Sequence, residues 1–192
     1  MNEMNFSWII LAGGESRRMG QSKQTLPWKD GTLLDTAVEK AKQAGAGEVL
    51  ISANRAYPPY RCVMDRVPGA GPLGGIHACL LQASSPLCLV VPVDVPLFPG
   101  ELAAQMIRYA RDSGRLYLPL CWNGTLEPLI GVFHRDTAPI IEGMLTRQEN
   151  KVRSLTRYVS WEPFSQEGDP VLMENCNTPE TYRQLYARFG MA

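Results

Sequence analysis

The sequence predicts an α/β fold with a mainly parallel sheet. Strand-like and helix-like stretches alternate along the whole chain, which is the pattern of a sheet flanked by helices. The strand-like stretches include continuous apolar runs, as expected of strands covered on both faces. A length of 192 residues with 45% hydrophobic and 20% charged side chains is enough for an ordinary core without disulfide staples.

In chain order, Trp8-Ile-Ile-Leu-Ala12 is an apolar run stopped by Gly13-Gly14 and reads as a buried first strand. After a polar loop, Leu33 to Ala44 places Leu34, Ala37, Val38 and Ala41 at helical spacing and stops at Gly45. Glu48 to Ala53 reads as a second strand and Arg61 to Met64 as a brief third. Pro72 to Ala83 is helical, with Leu73, Ile76, Leu80 and Leu81 recurring on one face. Leu87 to Pro92 is the clearest strand, and Asp94 falls just past its carboxyl end. Pro99 opens the next helix at a position that needs no amide donor, and Gly114 closes it. Leu116 to Leu120 and Leu129 to Phe133 read as strands, and Asp136 to Leu145 as a helix. A last strand is expected near Val171 to Glu174, then a helix capped by Thr178, started at Pro179 and running through Phe189. With no repeat, linker or low-complexity tract, residues 1–192 read as one domain.

Lys plus Arg and Asp plus Glu both number 19, so the chain lacks the basic surplus of a general nucleic-acid or anionic-membrane binder. No apolar run approaches the ~20 residues of a membrane span, and Met1 to Ser7 lacks the features of a signal peptide; a cytoplasmic protein is expected. The five cysteines include no Cys-x-x-Cys pair, so core thiols are expected rather than disulfides or zinc. His77 and His134 lie in no catalytic motif, and there is no Gly-x-Ser-x-Gly elbow. What remains is chemistry without a protein general base.

Three loops could carry that chemistry. Leu11-Ala12-Gly13-Gly14 follows the first strand and runs on through Arg17, Arg18 and Lys23. Glycines there let main-chain amides approach a ligand, and open α/β sheets bind ligands at the carboxyl ends of their strands. It is neither a P-loop nor a dinucleotide fingerprint. The cations suit two anionic ligands, or form a solvated turn. Asp94, between Pro92 and Pro96, either holds Mg²⁺, a hard ion bound through carboxylates and phosphates, or fixes a turn. Asp65, past the third strand, could meet it at the same edge. Gly69-Ala-Gly71-Pro-Leu-Gly-Gly75 leaves room for a sugar against the backbone, or is a tight turn.

Leu11-Ala-Gly-Gly14, Ser16-Arg-Arg-Met-Gly20 and Lys23 together resemble the signature loop of sugar-nucleotide-type nucleotidyltransferases. Gly71-Pro-Leu-Gly-Gly75, Asp94-Val-Pro96 and Asn175-Cys-Asn-Thr-Pro-Glu180 narrow the resemblance to the molybdenum cofactor guanylyltransferase family, over Ile9 to Tyr182. It implies a three-layer Rossmann-like fold of the nucleotide-diphospho-sugar transferase type. It also implies transfer of GMP from GTP to the terminal phosphate of molybdopterin carrying molybdenum, with loss of pyrophosphate. By this resemblance Leu11, Ala12, Gly13, Gly14, Asn54, Asp65 and Gly71 belong to the nucleotide pocket. Lys23 contacts GTP phosphates, Asp94 binds Mg²⁺, and Arg18, Asn175 and Asn177 serve the pterin; Lys23, Asp94 and Arg18 form the catalytic set. Molybdoenzyme chaperones or other cofactor-biosynthesis proteins are the implied partners. Ser22, where the family commonly has an acid, and Val95, where it often has Thr or Gln, depart from the pattern. Sister enzymes using CTP typically carry Ala where this chain has Gly13, whose missing methyl leaves room beside a larger base. The alternatives are a CTP-dependent or other-acceptor nucleotidyltransferase, and a noncatalytic nucleotide or cofactor carrier.

Overall fold

The computed structural model describes residues 5–13 and 22–191. Strand β1 (Ser7–Leu11) is followed by a 3₁₀ turn at Lys23–Thr25 and a small hairpin, β2 (Pro27–Trp28) and β3 (Gly31–Thr32). Helix α1 (Leu33–Gln43) starts at a reciprocal cap, in which the Thr32 hydroxyl accepts from the Asp35 amide while the Asp35 carboxylate accepts from the Thr32 amide. Then come β4 (Glu48–Ser52), β5 (Cys62–Val63), α2 (Gly71–Gln82), β6 (Leu87–Pro92) and α3 (Gly100–Ser113). Gly114, at φ 62°, closes α3 in the left-handed conformation expected of a terminating glycine. The chain ends with β7 (Tyr117–Trp122), β8 (Thr125–His134), α4 (Ala138–Thr146), β9 (Phe164–Gln166) and α5 (Pro179–Leu185).

Seven strands form one sheet in the order β5-β4-β1-β6-β8-β7-β9. The four strands around β1 run parallel, and β8 is antiparallel to both β6 and β7. Successive residues of each central strand enter opposite cores. Trp8, Ile10, Leu89 and Val91 pack under α1 and α3, whereas Ile9, Leu50 and Val90 pack under α2 and α4. The result is a three-layer α/β/α arrangement, as the sequence predicts.

Two elements differ from expectation. Val171 to Glu174 is not a strand: the Asp169 carboxylate caps the Val171 amide and Pro170 starts a 3₁₀ turn over Pro170–Met173. The last strand lies upstream, at Phe164–Gln166. The two strands read near 116–133 are a single hairpin turning at Asn123 (φ 48°) and Gly124 (φ 79°), a pair suited to the tight turn with both central φ angles positive.

His77 is buried in α2, where burial pushes its imidazole below the ordinary range, and His134 accepts a bond from the Asp136 amide. All five cysteines are free thiols, with Cys79, Cys88 and Cys176 buried. Among the described residues no helix is long and apolar enough to cross a membrane.

Helix α2 packs closely on β4 because Gly75 has no side chain. A Cβ there would stand 2.0 Å from the Ser52 hydroxyl oxygen. Gly75→Ala is therefore expected to destabilise the protein by about 1–3 kcal/mol, as overpacked cores do, and Ser52→Ala in the same chain to restore part of the loss. Urea unfolding of the single and double variants measures this; equal midpoints for Gly75→Ala and wild type refute it.

Candidate active site

The chain passes from β1 to β4 on one side and from β6 to β7 on the other, so connections diverge between β1 and β6. That divergence opens a crevice at the carboxyl ends of the strands, where α/β sheets bind ligands. A cleft of about 680 Å³ lies there, lined by Leu11, Ala12 and Gly13 after β1, Val93 and Asp94 after β6, and the wall of β8 from Glu127 to Ile130.

The loop after β1 is fixed from three directions. The Ala12 amide donates to the Ser52 carbonyl at 2.8 Å, the Asn54 amide side chain donates to the Gly13 carbonyl at 3.1 Å, and the buried Gln24 side chain donates to the Ala12 carbonyl. Ser22 bonds Gln24 at 2.5 Å and lies 3.3 Å from the Tyr57 hydroxyl, so the residue departing from the family pattern supports the loop from behind. A Cβ on Gly13 would sit at ordinary contact distance, 3.7 Å from the Ser52 carbonyl, so internal packing does not demand glycine there. Gly14, Arg17 and Arg18, singled out from the sequence, lie outside the described residues.

At the centre, the Lys23 ammonium meets Asp94 Oδ2 at 2.6 Å and donates to Asn177 Oδ1 at 2.5 Å. The side chains of Lys23 and Asp94 are only 17% and 15% exposed, so their charges act across a partly desolvated space. The Cys176 amide donates to the Asp94 carbonyl at 2.8 Å, and the Asn177 amide to the Asn175 carbonyl at 2.8 Å. A tight turn thus presents Asn175 and Asn177 to the cleft, pinned to the strand end that carries Asp94. Three segments far apart in sequence converge on one point.

Asp65 and Gly71 line the β5 side of the cleft. Asp65 Oδ1 is buried without a hydrogen-bond partner, and burial pushes the carboxyl up from its ordinary range. Gly69 (φ 76°) and Gly71 (φ 65°) need the left-handed conformation to start α2, so the glycine-rich segment is a turn demanded by the backbone as well as a wall of the cleft. Glu127, Pro128 and Leu129 were not singled out from the sequence. They reach the cleft because the ladder between β7 and β8 jumps: Pro119 faces Gly131, but Leu120 faces Glu127. Pro119 and Pro128 have no amide to donate, and Tyr117 holds the displaced segment by donating its hydroxyl to the Pro128 carbonyl at 2.9 Å. The Asn-Gly pair at 123–124 was the available sequence signal for this hairpin.

A glycine-opened crevice with a cation and a carboxylate meeting at its centre, on this sheet order, is the architecture of a nucleotidyltransferase. A family model described as "MobA-like NTP transferase domain" matches residues 8–166, and the chain belongs to that family. It is 31% identical to "Probable molybdenum cofactor guanylyltransferase" of Geobacillus sp. (strain WCH70), over 96% of this chain and 99% of the relative. It is likewise 31% identical to "Molybdenum cofactor guanylyltransferase" of Vibrio atlanticus (strain LGP32), over 93% of this chain and 94% of the relative. The crystal structure of molybdopterin-guanine dinucleotide biosynthesis protein A from Archaeoglobus fulgidus superposes with a TM-score of 0.80, covering 93% of this chain and 95% of that one at 19% identity, and so shares the fold.

Proposed function

We propose that this nucleotidyltransferase transfers GMP from GTP to the terminal phosphate of molybdopterin carrying molybdenum, in the cytoplasm, forming the guanine dinucleotide and releasing pyrophosphate. The observation that carries the reading is the meeting of Lys23, Asp94 and Asn177 at the end of β6 in a chain related along nearly its whole length to guanylyltransferases. Residues 1–192 then act as one catalytic unit, and molybdoenzyme chaperones or other cofactor-biosynthesis proteins are the partners that receive the product.

An oxygen of the pterin's phosphate attacks the α-phosphorus of GTP, a new P–O bond forms, the bond to the β-phosphate breaks, and pyrophosphate leaves with the electron pair. The attacking group is already anionic at neutral pH, so no side chain has to take a proton. The barrier is repulsion between anions and charge growing on the leaving group; catalysis is positioning plus electrostatics. Lys23 places its charge on the phosphates, and Arg18 is assigned to the acceptor phosphate. Leu11, Ala12, Gly13, Gly14, Asn54, Asp65 and Gly71 hold the nucleoside. The Asp94 carboxylate at a strand end suits Mg²⁺, which is held by one or two carboxylates together with substrate phosphates and water. When bound, that ion neutralises charge on the triphosphate.

Pyrophosphate release from GTP and from CTP, with molybdenum-loaded molybdopterin supplied, tests the assignment. Release with GTP is expected; release with CTP alone moves the chain to cytidylyl transfer, and GTP binding without release makes it a carrier. Alanine at Asn175 or Asn177 is expected to raise the KM for molybdopterin about 10-fold or more while leaving that for GTP nearly unchanged, as loss of a polar contact to a charged ligand does. The reverse pattern moves the acceptor elsewhere.

A further inference from the structure

The β8 wall of the cleft carries a carboxylate that the chemistry above leaves unused. Beyond Gly131, toward its N-terminal end, β8 no longer pairs with β6, and residues 128–130 face no partner on β7. Glu127 stands at the edge of this displaced segment, half-buried, lining the cleft together with Asn175 and Asn177. Its carboxylate makes no hydrogen bond or ion pair among the described residues. Burial pushes the group above its ordinary range, so a ligand that donates hydrogen bonds would relieve a cost the folded protein carries.

The cleft is symmetrical in this respect. Asp65, past β5, has a buried oxygen without a partner on the opposite side. Strands β4, β1 and β6 stand between β5 and β8, so the strand that carries Glu127 and the strand that precedes Asp65 lie on opposite sides of β6 and β1. Lys23 and Asp94 lie between them, at the end of β6. The two ring systems to be joined share one recognition edge. Guanine and a pterin are both 2-amino-pyrimidin-4-ones, each with a ring N–H and an amino N–H side by side, a pair of donors that matches the two oxygens of a carboxylate.

We propose that Glu127 determines acceptor specificity, its carboxylate receiving the paired N–H donors of the pterin's aminopyrimidinone edge while Asp65 serves the nucleotide side. The inference rests on the reading of the reaction above. Glu127 is assigned to the pterin and not to guanine because β8 lies on the far side of β6, whose end carries Asp94, from β1, β4 and β5, whose ends carry Gly13, Asn54 and Asp65. Pro128 and Leu129 supply apolar surface beside it.

Steady-state kinetics with GTP and molybdenum-loaded molybdopterin test this in the wild type, Glu127→Ala and Glu127→Gln. Both variants are expected to raise the molybdopterin KM about 10–100-fold, the scale of losing hydrogen bonds to a charged group, with kcat within a few-fold and the GTP KM unchanged. Gln does not rescue, because its amide turns an N–H toward the donor edge; Glu127→Asp, which keeps both oxygens, recovers part of the loss. Preference for GTP over ITP, which lacks the 2-amino group, stays as in the wild type. A collapse of that preference with an unchanged molybdopterin KM assigns Glu127 to the base and overturns the proposal. Unchanged constants also overturn it, as does a parallel fall of kcat and the melting midpoint, which marks a packing role. Absence of GTP-dependent transfer in the wild type instead removes the underlying reaction.

Discussion

Asp94→Ala is expected to reduce GMP transfer at least ~10³-fold, read as pyrophosphate release at saturating GTP, molybdopterin and Mg²⁺. The carboxylate is the proposed protein anchor for the metal, and a factor of 10³ corresponds to about 4 kcal/mol of lost transition-state stabilisation, within reach of removing such an ion. The fold should survive. Asp94 is tied to the C-terminal turn through its main-chain carbonyl, which accepts from the Cys176 amide at 2.8 Å and is untouched by the substitution. Asp94→Asn separates charge from shape, because it preserves the size of the side chain and removes its charge; it should be nearly as inactive as alanine. An Asp94→Ala enzyme with near-normal magnesium-dependent turnover would falsify the metal assignment.

For Lys23→Ala the expected loss is about 10²–10³-fold, the effect of removing one preorganised donor from developing negative charge. Its signature should be a fall in kcat larger than the rise in GTP KM, since charge grows on the bridging and leaving oxygens only as the bond breaks. Lys23→Arg should recover little, because the pocket between Asp94 Oδ2 and Asn177 Oδ1 holds a compact ammonium, at 2.6 Å and 2.5 Å, and a planar guanidinium cannot meet the same pair in the same way. A variant whose only defect is a weaker GTP KM shows that the lysine binds ground-state triphosphate and contributes nothing further.

Much of the architecture is readable before any coordinates, for definite reasons. β6 is apolar from Leu87 to Val91 because both faces are covered, so its end, and with it the position of Asp94, follows from composition alone. The terminal cap at Thr178 with Pro179 behind it is equally local. β9 has three residues, too few for a period to register, and its neighbourhood is polar. The stretch at 171–174 looks extended until Asp169 and Pro170 turn it. At the site, the chain separation decides legibility. Lys23 meets Asp94 across 71 positions and Asn177 across 154, and no local pattern encodes such meetings; their grouping came from the family resemblance. Glu127 belongs to no motif, and only the jump in the β7–β8 ladder brings it to the cleft.

The match to the family model stops at residue 166, the final residue of β9, yet the tie between the Cys176 amide and the Asp94 carbonyl lies beyond it. A protein shortened to that boundary would retain every strand of the large sheet and discard Asn175 and Asn177. It would also lose the bond from the Tyr182 hydroxyl to the Pro27 carbonyl, which holds the β2–β3 hairpin from outside. Cutting the chain at that boundary would therefore keep Glu127 but strip Lys23 of its Asn177 partner and remove both asparagines proposed to serve the acceptor.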